Sequence, residues 1–431
     1  MSFLESVFRA MCQIVVALLL CAHTAWAARH RDASADADTR VAKSAMRAPD
    51  MGYWHTDEAQ ILDSWNRPVR IEGINWYGFE TRREVPGGLA VQDYHAILDT
   101  VKREGYNTVR LPFSNQMIED PIVPAVPEDI AFGSPNGAIN QDLRGLNSLQ
   151  IMDRIVAYAG QIGLKVILDD HRSEAGDSAE PSGLWYTARY PESSWIADWV
   201  ALATRYKDNS AVIGMDLRNE PHNAQINGAC WDCGGARDWH LAAERAGDAI
   251  LKINPRLLIF VEGTDSYRGD STWWGGNLEG VKASPVSLTV AHQLVYSPHV
   301  YGPKVYQQPW FNGKTTSRSL EDVWHRQWAY ISEWGIAPVW IGEFGTTNDA
   351  GDIENSNPGS EGQWFDSLVV YLSRNQEVGW TVWALNGEDA DGLLDASYSF
   401  PVNGRKQQMM SSIMSPVPGE SQEVAGMEPL R

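Results

Sequence analysis

The chain is poor in the features that mark nucleotide, metal and disulfide-stapled proteins. Its 431 residues hold 4 cysteines. Cys12 and Cys21 fall in an N-terminal segment that reads as removable, which leaves Cys230 and Cys233 in "CWDCGG". One C-x-x-C pair is only half of a four-thiolate zinc site. No thioredoxin-like pattern surrounds it, so in an exported chain a local disulfide is the expected reading. No G-x-x-x-x-G-K-[ST], H-E-x-x-H, G-x-S-x-G or dinucleotide fingerprint occurs. Neither a cofactor nor a metal is expected. Positive charge is also short: 35 Lys+Arg against 55 Asp+Glu, a net −20. Nucleic acid and anionic lipid repel such a chain, so neither is an expected partner. Phe is scarce beside Trp, 10 against 19. Cores rarely need that ratio, because each buried indole N–H wants a partner. Some of these rings are expected to line a surface that binds something flat and amphipathic.

Long apolar runs are few. Arg9 precedes the run Ile14–Leu20, and Ala25-Trp26-Ala27 follows in the A-x-A pattern. Segment 1–27 therefore reads as a signal peptide cleaved after Ala27. The run is short for a bilayer span, which disfavours an anchor. The expected location is secreted or periplasmic, with no stable membrane association after cleavage. Residues 28–50, rich in Ala, Asp and Arg, read as a flexible lead-in, and 416–431 as a flexible tail. Between them, 51–415 reads as one catalytic domain, expected to be a monomer.

Within 51–415 the pattern is rhythmic. A hairpin is expected over 53–73, around "SWNRP". Eight short apolar runs then alternate with amphipathic stretches: 71–79, 107–114, 164–171, 212–221, 257–263, 294–302, 337–345 and 379–386. Helices are expected near 146–163, 239–254 and 405–414. Strand–helix alternation repeated eight times predicts an α/β fold, a (β/α)8 TIM barrel with a small N-terminal β-hairpin.

Active sites of such barrels sit at the C-terminal ends of the strands. Those ends are crowded with polar groups: Asn75 and Trp76, Arg110, Asp169, Asp170 and His171, Asn219 and Glu220, Glu262, His299 and Tyr301, Glu343, and Trp383. Burying so many without a purpose is costly. Glu220 and Glu343 end the fourth and seventh runs. A pair of carboxylates can cleave a glycosidic bond, one protonating the leaving oxygen and the other attacking the anomeric carbon or activating water. The acid must keep its proton near neutral pH, and a nucleophile must stay ionised, which a neighbouring Arg assists. Arg110 is the arginine available.

"NEP", "HVY" and "GEFG" ending runs four, six and seven, with Trp383 ending run eight, resemble glycoside hydrolase family 5, the family of many endo-β-1,4-glucanases. The resemblance covers about 53–415. It implies that Glu220 is the acid/base and Glu343 the nucleophile, with retention of configuration and carboxyl groups about 5–5.5 Å apart. It also implies that Asn219 contacts the sugar 2-hydroxyl, that Arg110 and Tyr301 hold the nucleophile, and that His171 and His299 shape the pocket over a Trp383 floor. The implied partner is a β-glucan polysaccharide. Run eight ends "WALN", where relatives often carry a second Trp, which puts one sugar platform in question.

Around these residues the readings stay open. Glu262 is either functional or a brace for Arg110 or His299. His222 either lines the leaving-group side or starts a helix. Asn75, Trp76, Trp185, Trp231, Trp273, Trp274 and Trp310 are candidate substrate contacts, the indoles as platforms for pyranose faces. "GEDADGLLD" (387–395) reads as a solvated loop or, less well, a calcium loop. The same chemistry on mannan, xyloglucan or mixed-linkage glucan, and a non-catalytic carbohydrate-binding barrel, are the competing functions.

Overall fold

Val, Ile and Leu crowd the short runs, and in the computed structural model these become strands buried on both faces. The structure describes residues 52–225 and 227–415. The expected signal peptide, lead-in and tail all lie outside the described residues.

The chain opens with three short antiparallel strands, β1 (His55–Asp57), β2 (Gln60–Leu62) and β3 (Pro68–Val69). The expected hairpin thus has one more strand, because Glu58, at φ 49°, turns the chain early. The barrel strands are β4 (Glu72–Asn75), β5 (Thr108–Ser114), β6 (Lys165–Arg172), β7 (Val212–Asp216) and β8 (Leu258–Glu262). A small antiparallel pair follows, β9 (Ser266–Tyr267) and β10 (Asp270–Ser271). β11 (Leu294–Ser297), β12 (Trp340–Phe344) and β13 (Gly379–Val382) complete the set. The eight parallel strands run in the order β11-β8-β7-β6-β5-β4-β13-β12. Parallel bridges Tyr296–Val339 and His299–Glu343 join β11 to β12 and close the ring.

The helices form where apolar residues recur at helical spacing. Ser148–Gln161 starts at a capping box, Asn147 with Gln150, and buries Ile151, Met152, Ile155, Val156 and Ala159 on one stripe. It ends before Gly163, whose φ of 77° suits a residue without Cβ. Trp239–Ile253 buries Ala242, Ala243, Ala246 and Gly247, small residues that let its backbone approach the sheet.

Alternation along each strand sorts the core into two layers. Ile167, Ile213, Leu258, Phe260, Val295 and Trp340 cluster with Trp54 and Ile61 of the N-terminal segment. One period later the side chains become polar: Asp169 and His171 follow Ile167, and Glu262 follows Phe260. The site stands on this dry floor.

Candidate active site

Arg110 is the centre of the polar layer. It is fully buried, and a buried guanidinium must have its donors matched. Nε donates to Asp216 Oδ2 at 2.9 Å. Nη1 donates to Asn75 Oδ1 at 3.0 Å and to Glu343 Oε1 at 2.6 Å. Nη2 donates to Asn219 Oδ1 at 3.0 Å and lies 3.0 Å from Asp169 and 3.4 Å from Glu262. Asp169 also meets His171 Nδ1 at 2.7 Å.

Glu343 takes its second bond from the Tyr301 hydroxyl, 2.8 Å from Oε2. Burial alone would raise its carboxyl. The charges at His299, Arg110 and His171, with the Tyr301 bond, outweigh that and hold it below the usual carboxylate range. The Tyr301 hydroxyl is pushed up by burial and by the nearby Glu343 charge, so it stays a donor.

Glu220 is half-buried and reached differently. β7 ends at Asp216, and Glu220, four residues further on, sits at φ 50°, a left-handed conformation costly for a residue with Cβ. Its Oε1 lies 3.1 Å from His299 Nδ1, which is also 3.5 Å from Glu343 Oε2. Carboxylate oxygens of Glu220 and Glu343 and a ring nitrogen of His299 all lie within 4.8 Å of one another. Such closeness fits the direct-attack geometry of retaining hydrolysis, not the wider gap that admits a water.

Beside Glu220 a cleft of about 740 Å³ is lined by Trp273, Trp274, Tyr306 and Gln308, among others. Trp274 is 45% and Tyr306 67% exposed, so both offer ring faces to a ligand. His222 is buried and lies flat under Trp274, centroids 3.9 Å apart, its Nδ1 on the Glu220 carbonyl. It backs the Trp274 ring instead of starting a helix. Trp383, half-buried, packs parallel to Tyr77 at 5.1 Å and near His171 at 5.8 Å. Its indole N–H donates to Asp389, an acid of the 387–395 loop. The Trp383–Ala384 peptide is cis. Another part of that loop is held by Lys406, whose ammonium donates to the carbonyls of Asp391 and Thr346 at 2.5 and 2.6 Å.

Several expected contacts are corrected. Trp76, Trp185 and Trp231 are core residues, each with its indole N–H bonded inside the protein: Trp76 to the Gly87 carbonyl, Trp185 to Glu192, Trp231 to the Ser284 carbonyl. Asn75 is fully buried and braces Arg110, donating to the Gly342 and Val382 carbonyls. Trp310 is half-buried against Phe311, outside the cleft lining. Trp273 lines the cleft but is only 8% exposed. Cys230 and Cys233 are bonded to each other, as expected. Arg218 turns behind the site to Asp170 at 2.7 Å and Ser173 at 2.8 Å. Sequence reasoning passed over Asp216, Tyr77 and Tyr306. Strand alternation could not have found Asp216, three residues past the inward Ile213, because an irregular register in β7 brings both to the inner face. Nothing in the local pattern separated Tyr77 from its buried neighbour Trp76.

The chain resembles known proteins along most of its length. The description "Cellulase (glycosyl hydrolase family 5)" matches residues 63–389. An endoglucanase of Paenibacillus polymyxa is 45% identical over 386 residues, 88% of this chain and 91% of that protein. The major extracellular endoglucanase of Xanthomonas campestris pv. campestris is 36% identical, over 80% of this chain and 68% of that one. Among solved structures, a cellotetraose complex of an endocellulase from Pyrococcus horikoshii superposes with TM-score 0.74 at 35% identity, covering 86% of this chain and all (100%) of the other.

Proposed function

The chain belongs to glycosyl hydrolase family 5 and is a glycoside hydrolase of the cellulase type; on that premise we propose how its site works and on what. It is an endo-β-1,4-glucanase acting on cellulose-type β-glucan. Glu343 is the nucleophile and Glu220 the acid/base. The observation that carries this reading is the facing pair itself, with Arg110 and Tyr301 both on Glu343 and His299 between the two glutamates.

In the first step Glu343 Oε attacks the anomeric carbon while Glu220 gives its proton to the departing glycosidic oxygen. The C1–O bond breaks, a glycosyl ester forms on Glu343, and the leaving chain departs with a free hydroxyl. In the second step Glu220, now ionised, takes a proton from water as that water attacks the same carbon. The ester breaks, and both glutamates return to their starting states. Two inversions give net retention. Asn219, tied to Arg110 through Oδ1, is the group for the sugar 2-hydroxyl. His171 and His299 shape the pocket of the cleaved sugar and Trp383 floors it. The Trp274 and Tyr306 faces take the leaving-group sugars, because their cleft opens beside Glu220.

Segment 1–27 acts as the export signal, and the mature chain works as a soluble monomer on extracellular or periplasmic glucan. No described helix is long and apolar enough to cross a membrane. A panel of soluble β-glycans, with NMR of the first-formed anomer, tests the function. Reducing ends released fastest from β-1,4-glucan, and appearing first as the β anomer, are expected. Preference for mannan or an α first product overturns it.

A further inference from the structure

Glu262 makes no contact that a substrate could replace, yet it touches three parts of the machinery. Its carboxylate is fully buried at the end of β8. Oε2 accepts the backbone N–H of Glu220 at 2.8 Å. Oε1 lies 3.1 Å from His299 Nε2 and 3.4 Å from Arg110 Nη2. Gly275 covers it: a Cβ there would come 2.1 Å from Glu262 Oε2. The "WWGG" stretch therefore needs its first glycine, at φ 70°, to leave room for this carboxylate.

We propose that Glu262 is a positioning residue that fixes Glu220 in its left-handed backbone and holds His299 as a cation between the two glutamates. This rests on the reading of Glu220 as acid/base. Both nitrogens of the His299 ring face carboxylate oxygens: Nε2 meets Glu262, while Nδ1 meets Glu220 and Glu343. Nδ1 has hydrogen-bond geometry to Glu220, and Nε2 is in ion-pair contact with Glu262 without it; carboxylates beside both nitrogens favour the doubly protonated ring. Behind these three acids stand Asp216, Asp169 and the Arg110 guanidinium. Burial works against charging His299, but Glu262 and Glu343 overcome it and raise the imidazole well above its ordinary range. The cation in turn helps keep Glu343 ionised.

Replacing Glu262 by Gln keeps the size of the side chain and an acceptor for the Glu220 N–H, but removes the charge facing His299. His299 then loses its proton more readily, and Glu343 is protonated at higher pH. The acidic limb of kcat/KM should move up by about one pH unit, whereas Glu262→Asp keeps the charge and should hold the limb near its native place. A purely structural role lowers activity at all pH values without moving the limb, and that result in folded Glu262→Gln overturns the proposal. Should the variant not fold, ¹⁵N-histidine NMR of the wild-type protein decides. The expected spectrum has both His299 ring nitrogens protonated at neutral pH, and a neutral ring refutes the idea. Glu220→Ala on aryl cellobiosides separates the premise from the proposal. Loss confined to poor leaving groups supports the acid/base reading, and equal loss on activated substrates overturns that reading, whatever Glu262 does.

Discussion

Replacing Arg110 with Lys keeps the charge and removes the fork. The guanidinium reaches Asp216, Asn75, Glu343 and Asn219 by direct hydrogen bonds, from 2.6 to 3.0 Å. An ammonium has three donors and cannot point to opposite walls of the barrel at once. The shortest contact, to Glu343 at 2.6 Å, is the one that positions the proposed nucleophile. Losing one hydrogen bond to a charged group costs about 2 kcal/mol. Taken from the transition state, that is roughly 30-fold in kcat/KM. The acids left unmatched, Asp169, Asp216 and Glu262, are buried completely. Their exposure to an incomplete partner set should cost a further ~3 kcal/mol of folding stability, the lower end for a broken buried pair. The assay is kcat/KM on a soluble β-1,4-glucan against pH, beside a urea melt. The acidic limb should move up, because the ammonium, though still charged, loses the 2.6 Å contact through which Arg110 helps lower Glu343. A variant active within threefold, with an unmoved limb and an unchanged melt, refutes the reasoning that Arg110 organises the site.

Glu343→Gln preserves shape and bonding volume but cannot attack carbon, so hydrolysis should fall by at least about 1,000-fold with the thermal melt unchanged; a chromogenic cellobioside reads this. Trp274→Ala removes a ring that is 45% exposed, and about 90 Å² of lost sugar contact at about 25 cal/mol/Å² is about 2 kcal/mol. KM for long chains should rise at least roughly tenfold, while hydrolysis of short substrates that do not reach the cleft should hardly change. Glu80 is buried and pushed up to about 7 by that burial, against the opposing charge of His171. Its folded-state carboxyl holds its proton more tightly than the unfolded one, so its contribution is complete below about pH 4 and is lost as pH rises to about 7. Glu80→Gln should flatten that decline, seen as a smaller drop in urea midpoint between those two pH values.

The eight runs were legible because burial on both faces leaves a dense Val/Ile/Leu signature, and the helices at Ser148–Gln161 and Trp239–Ile253 fall within three residues of expectation. The positions of Glu220 and Glu343 were legible because an acid at the end of a buried strand has no cheap structural reason to be there. The aromatic platforms were not. Trp76 and Tyr77 are adjacent and alike in pattern, yet one is 0% exposed with its N–H on Gly87 and the other stacks on Trp383. Which of two neighbouring rings reaches Trp383 depends on where the strand ends, and that is fixed by tertiary pairing. Tyr306 lies in a loop without periodicity, so only the folded wall of the cleft reveals it. Glu262 had two readings in sequence, and its distances to His299 and Arg110 place it against both.

The central claim is that Glu343 forms a covalent bond to sugar. A 2-deoxy-2-fluoro-cellobioside with a good leaving group slows the second step and lets the intermediate accumulate. Peptide mass spectrometry of the inactivated protein should find one fluoroglycosyl group, on the peptide containing "IGEFG" and localised to Glu343. Attachment to Glu220, or to any other residue, contradicts the account.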